Sequence, residues 1–206
     1  SFIPVIISLS RIKTMGEAKS SSQSLLKDFT EGFYFLKGRK DILYMIILIS
    51  LFSLFGIPFT SFLPVIADEI FNAGPKGLGL LVSATGLGAL SAALMLAFRG
   101  DIRHKQRYMS IAGLCFPLAL LFVSFSRVFG ISLCLLIFAG WGIVSFLATA
   151  NSFLQISTSD NLRGRVMSIY SLVFLGFTPI GNFIIGAVSD RIGTTKTLAA
   201  ASMICL

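Results

Sequence analysis

No charged side chain occurs from Ile42 to Ala67, Gly77 to Phe98, Tyr108 to Ser126, Val128 to Ser159, or Val166 to Ser189. A water-soluble domain has no use for several such runs, each close to or above the roughly 20 apolar residues with which a helix crosses a bilayer core of about 30 Å. Charge is scarce overall, at 13% of residues against 55% hydrophobic, where an ordinary globular chain holds about 25%. The three cysteines, Cys115, Cys134 and Cys205, all lie inside apolar stretches. Neither a disulfide framework nor a metal spacing follows from them, and they read as small packing residues. His104 is the single histidine. There is no nucleophile elbow, phosphate loop or metal-spaced cluster, so the reading is of a non-enzyme without cofactor or metal. None of the five runs contains a carboxylate. A charge at the bilayer centre costs at least about 2.5 kcal/mol and persists only for function. A proton-binding site is therefore not expected in these spans.

The charges that are present alternate. Seven basic residues lie between Arg11 and Asp41, four between Arg99 and Arg107, and Arg163 and Arg165 between Asp160 and Val166. Together these hold 13 of the 17 basic residues, on every second separator. The other separators carry only Lys76, Arg127, Arg191 and Lys196. Excess Lys and Arg marks cytoplasmic loops, so the two sets take opposite sides of a membrane. A net charge of +8 then describes topology and not a nucleic-acid partner.

The two ends read as incomplete spans. Ser1 to Ser10 is apolar, too short to cross, and followed rather than preceded by Arg11 and Lys13, the reverse of a signal peptide. The organisation expected is the end of a helix at 1–10, a cytoplasmic linker at 11–41, and a transmembrane bundle at 42–206. Its spans fall near 42–67, 77–98, 108–126, 129–153 and 166–188, with an incomplete one at 197–206. Within the linker, Leu25, Phe29, Phe33 and Leu36 stand at helical spacing among charges, as in an amphipathic helix on an anionic membrane surface.

That order of amphipathic linker, span, outward turn at Ala67–Gly77 and Gly-rich span resembles the C-terminal half of a major facilitator superfamily transporter. The segment Asn161-Leu162-Arg163-Gly164-Arg165-Val166-Met167-Ser168, with Pro179-Ile180-Gly181 beyond it, is similar to the branch containing macrolide-efflux proteins and the enterobactin exporter. The resemblance implies an all-α membrane fold running from the end of helix 6 through helices 7 to 11 into helix 12. It also implies a homologous N-terminal six-helix half as partner and alternating access of a small molecule, with proton coupling in the other half. The setting implied is the bacterial inner membrane. The superfamily's loop signature is degraded at Ala97–Arg107, where Asp101 and the basic run survive. A closer match at Gly186–Gly193 falls on the side that parity places outside. Close relatives move lysophospholipids, and a non-transporting anchor or scaffold is the reading from another class.

Carried over from the family, Asp101 would pair with Arg163 or Arg165 as a cytoplasmic gate; the bland reading is solvated topogenic charge. Asp160 suits a cap at the start of helix 11. In helix 7, Ser50, Ser53 and Thr60 project to one side at 100° per residue, opposite Phe52, Phe55, Phe59 and Phe62. If the polar side faces a cavity, the phenylalanines face lipid or a neighbouring helix. Gly56, Pro58 and Pro64 make this helix a candidate moving part. In helix 10, Ser145, Thr149 and Ser152 share a face flanked by Asn151 and Gln155, as cavity contacts or as interhelical fasteners. Asn182 is the deepest amide of helix 11 and a candidate for the cavity wall. Ala84, Gly88 and Ala92, at intervals of four, form a strip suited to close helix packing.

Overall fold

The computed structural model describes residues 38–99 and 105–206. The expected span end at 1–10, almost all of the linker at 11–41, and Asp101 lie outside the described residues.

Among the described residues, five helices are long and apolar enough to cross a membrane: α1 (Lys40–Ile70), α2 (Gly74–Arg99), α3 (Lys105–Phe125), α4 (Phe129–Ser157) and α5 (Asp160–Ile192). A sixth, α6, spans Thr194–Cys205. Among the described residues, short turns join α1 to α2, α3 to α4, α4 to α5 and α5 to α6. The α1–α2, α3–α4 and α5–α6 turns are at the upper end, and the α4–α5 turn is at the lower end with Lys40. The helices overrun the charge-free stretches because backbone bonding continues into the flanking polar residues. At 33 residues and about 1.5 Å per residue, α5 is longer than a hydrocarbon core is thick. Gly193, at φ +88°, is the whole of the α5–α6 turn, a backbone setting that residues with a Cβ rarely take.

Close approach of backbones holds α4 at the centre. An added Cβ on Gly88 of α2 would collide with the Ile137 carbonyl oxygen of α4, and one on Gly140 of α4 with the Thr85 carbonyl oxygen of α2. Ala84 and Ala92 are buried beside Gly88. On another face of α4, a Cβ on Gly142 would lie 2.9 Å from the Ala112 carbonyl oxygen of α3. Small residues gain contact area in this way where lipid removes any hydrophobic drive between helices.

Aromatic rings fill the middle. Phe52 of α1 packs on Phe146 of α4 and Phe116 of α3 at centroid distances of 4.7 and 5.4 Å, and Phe59 reaches Phe116 at 5.9 Å. Phe62 is buried as well and Phe55 is half-buried. Of the two surroundings open to the phenylalanine stripe, neighbouring helices are the one found.

Helix α1 is not regular. Phe52–Gly56 and Ile66–Ile70 are π-helical turns, each admitting an extra residue and turning everything downstream relative to an α-helix. Ile57 N–H donates to the Phe52 carbonyl at 2.8 Å, five residues back. Pro58 has no N–H to give. Thr60 N–H and Ser61 N–H then bond only three residues back, to Ile57 and Pro58. The projection of Ser50, Ser53 and Thr60 onto one face assumes an unbroken α-helix and does not survive this interruption. Ser53 is fully buried inside the bundle, while Thr60 is exposed.

Candidate functional site

A cavity of about 410 Å³ opens between the upper half of α1, the upper half of α5 and the start of α6. From α1 come Pro58, Ser61, Phe62, Val65 and Glu69; from α5, Asn182, Ile185, Gly186, Ser189 and Asp190; and Gly193 and Thr194 close the top. Ser61 and Val65 stand one turn apart on α1, with Glu69 beyond them in the second π-turn, and Asn182, Gly186 and Asp190 recur every four residues on α5. Ser61 Oγ donates to Asn182 Oδ1 at 3.0 Å across it. Ser189 Oγ lies 3.2 Å from Thr194 Oγ1 at the α5–α6 turn. The walls thus combine apolar surface with an amide, hydroxyls and two carboxylates.

Asn182 is the residue of the expected cavity set that stands in this space. Ser61, Glu69 and Asp190 join it there, and no spacing within their own helices marks them as cavity residues. Asp190 does belong to the signature-like Gly186–Gly193 segment, and here it lines the upper cavity.

The other expected cavity residues are dispersed. Ser145 is fully buried between α3 and α4, with its Oγ 2.8 Å from the Tyr108 hydroxyl. Thr149 and Ser53 are buried with no hydrogen-bond partner for their hydroxyls among the described residues. Ser50 Oγ donates to the Ile46 carbonyl of its own helix at 2.7 Å, and Thr60 Oγ1 to that of Ile57 at 3.2 Å. Asn151 Oδ1 accepts from Gln155 Nε2 at 3.0 Å, one turn along the same helix. Ser50, Thr60, Ser145 and Asn151 thus bond to their own helix or to a neighbouring one, and none of these residues lines the cavity between α1 and α5.

At the lower end the α4–α5 turn is clasped by Arg163. Its Nη2 lies 2.6 Å from Asp160 Oδ1, and its Nε donates to the Gln155 carbonyl at 3.1 Å. Asp160 is therefore the first helical residue and an ion-pair partner, in place of the expected cap; Ser159 holds the cap position with no side-chain bond. The guanidinium meets a carbonyl left open at the end of α4. Higher on α5, Gly164, Met167, Ser168, Ser171, Leu172 and Leu175, with Gly176, line an open groove. Leu172, Leu175 and Phe183 are exposed along the helix.

The comparisons with known proteins agree with this architecture. A major facilitator superfamily model, described as transmembrane secretion effector, matches residues 1–206. The chain is similar to the Staphyloferrin A transporter of Staphylococcus aureus (strain NCTC 8325 / PS 47), 24% identical over 156 residues. The matched stretch makes up 73% of this chain and 38% of that protein, so the chain spans well under two thirds of the relative's length. No solved structure matches.

Proposed function

The chain belongs to the transmembrane secretion effector family of the major facilitator superfamily, and from that premise we propose that it forms the C-terminal bundle of an exporter of small amphiphilic molecules. Alternating access, with drug-like or siderophore-like solutes, is the mode the family resemblance supports. Similarity to a protein named as a staphyloferrin A transporter favours a small-molecule substrate over a lipid. The observation that carries the reading is the cavity between α1 and α5, with Asn182, Ser61, Glu69 and Asp190 on its walls. A structural scaffold has no need of a polar space between two of its helices.

A homologous N-terminal six-helix half is the partner in this scheme. The groove and exposed apolar residues of α5 supply a surface for it, since two halves of such a transporter build one path between them. The described spans carry no acid in their middle, so proton coupling is assigned to that other half. Asp101 with Arg163 and Arg165 forms the cytoplasmic gate, in which Arg163 exchanges partners between Asp160 and Asp101. By the distribution of Lys and Arg, the upper end faces outward from a bacterial cytoplasmic membrane.

The test is accumulation of a fluorescent cationic dye in cells with and without the full-length gene, each with and without a protonophore. Lower accumulation that depends on the gene and is abolished by the protonophore is expected. The absence of any gene-dependent difference, for the dye and for macrolides and siderophores alike, would remove the exporter reading. Uptake of lysophospholipid instead would move it to lipid transport.

A further inference from the structure

We infer that the cavity between α1 and α5 selects organic cations, and that Glu69 and Asp190 are the residues that read the charge. This selectivity rests on the exporter reading only for the solute's route, and binding alone tests it.

The charge on the cavity walls runs against that of the chain. Basic residues outnumber acidic ones by 17 to 9, and the upper end carries Lys76, Arg127, Arg191 and Lys196. None of these cations lines the cavity, whereas Glu69 and Asp190 both do. At the lower end Arg39 pairs with Asp41 and Arg163 with Asp160. Glu69 and Asp190 have no such partner among the described residues.

Two unpaired carboxylates on one space repel each other, and a positive charge between them turns that repulsion into attraction. Low-dielectric walls focus the field into the cleft instead of letting it spread into water. The space takes more than a bare metal ion, for among the described residues no three His, Cys, Asp or Glu side chains stand together as ligands. Phe62, Val65 and Ile185 put apolar surface on the same cavity. An ammonium or guanidinium group on an apolar body satisfies both kinds of wall.

The charge is read at one level. Asn182 stands eight residues before Asp190 on α5, about 12 Å deeper along the helix. Its amide accepts from Ser61, so the deep end is polar but neutral. A cation is therefore held by its charged end near the outer mouth, with its apolar body directed inward. An anion of the same shape meets two negative charges there and no positive one.

The experiment measures equilibrium binding of radiolabelled tetraphenylphosphonium to the purified full-length protein in detergent, above the counts held by protein-free micelles. Glu69→Gln and Asp190→Asn are each expected to weaken binding about three- to tenfold, the weight of one unit charge a few ångströms away in a wet mouth. The double variant weakens it further, and Glu69→Asp, which keeps the charge, retains most of the affinity. Asp68→Asn removes an exposed charge that is next in sequence but off the cavity wall, and it leaves the affinity unchanged. Added salt weakens binding to the parent more than to the double variant. Neutral triphenylphosphine oxide displaces the label at least about tenfold less well than unlabelled tetraphenylphosphonium, because it lacks the charge that the carboxylates attract. No saturable binding, unchanged affinity in both single variants, a loss in Asp68→Asn equal to that in Glu69→Gln, or equal displacement by the neutral compound would each overturn the inference. Cation binding by a protein whose gene gives no efflux would keep this site and remove the exporter. Gene-dependent efflux without cation binding would keep the exporter and remove this site.

Discussion

The hydroxyl of Tyr108 lies 2.8 Å from the Oγ of Ser145, buried between α3 and α4. Removing one member strands the other in an apolar interior. Tyr108→Phe is expected to destabilise the full-length protein by about 1–3 kcal/mol, and Tyr108→Phe with Ser145→Ala by less, because the second change removes the orphaned group. Thermal melts of the two variants and of Ser145→Ala in one detergent decide it. A loss in the double variant equal to the sum of the two single losses would show the bond to be immaterial.

The glycine contacts between α2 and α4 predict a contrast. Gly88→Val and Gly140→Val drive a side chain into backbone, which cannot yield as a flexible side chain does, so a loss of at least about 1–3 kcal/mol is expected. Gly130→Ala, at a site with nothing within 4 Å of the new Cβ, should leave the melting temperature unchanged or slightly raised. Size-exclusion profiles after graded heating separate the two outcomes.

Filling the cavity should separate stability from transport. Gly186→Leu has room for its side chain, so expression and melting temperature stay near the parent's, while efflux of any transported dye falls to background. A variant that exports normally would take the cavity off the path.

The charges of the lower end allow a charge exchange. Asp160→Asn removes an exposed pair worth only about 0–1 kcal/mol, so its effect on stability and efflux is expected to be small. Asp101→Arg should lower efflux, and adding Arg163→Asp should recover part of it if the two meet in one state of the gate. Efflux in the double variant no better than in Asp101→Arg argues against their pairing.

The spans were legible because a bilayer leaves no freedom: charge is excluded over a fixed length, and the exclusion shows in the order of residues. The strip of Ala84, Gly88 and Ala92 was legible for a similar reason, since only small side chains let backbones approach. The facing of α1 was not legible. An unbroken 100° step puts Ser53 with Ser50 and Thr60, but the π-turn at Phe52–Gly56 inserts a residue, and tertiary packing chose where to insert it. Ser145 read equally well as a cavity contact or a fastener, and only the position of Tyr108, 37 residues away, decides between them. Likewise the row of Ser61, Val65 and Glu69 has no meaning until α5 stands opposite with Asn182, Gly186 and Asp190. Spacing along one helix carries no information about a second.

The interlocked glycines of α2 and α4 also bear on how the protein is made. Gly140 leaves the ribosome about 50 residues after Gly88, which at roughly 5–20 residues per second is a delay of several seconds. Throughout that interval α2 exists without its partner, its backbone covered at Gly88 by nothing larger than a hydrogen atom at the place where α4 will settle. The contact that centres the bundle is thus an event of late synthesis, closed only after α4 has followed α2.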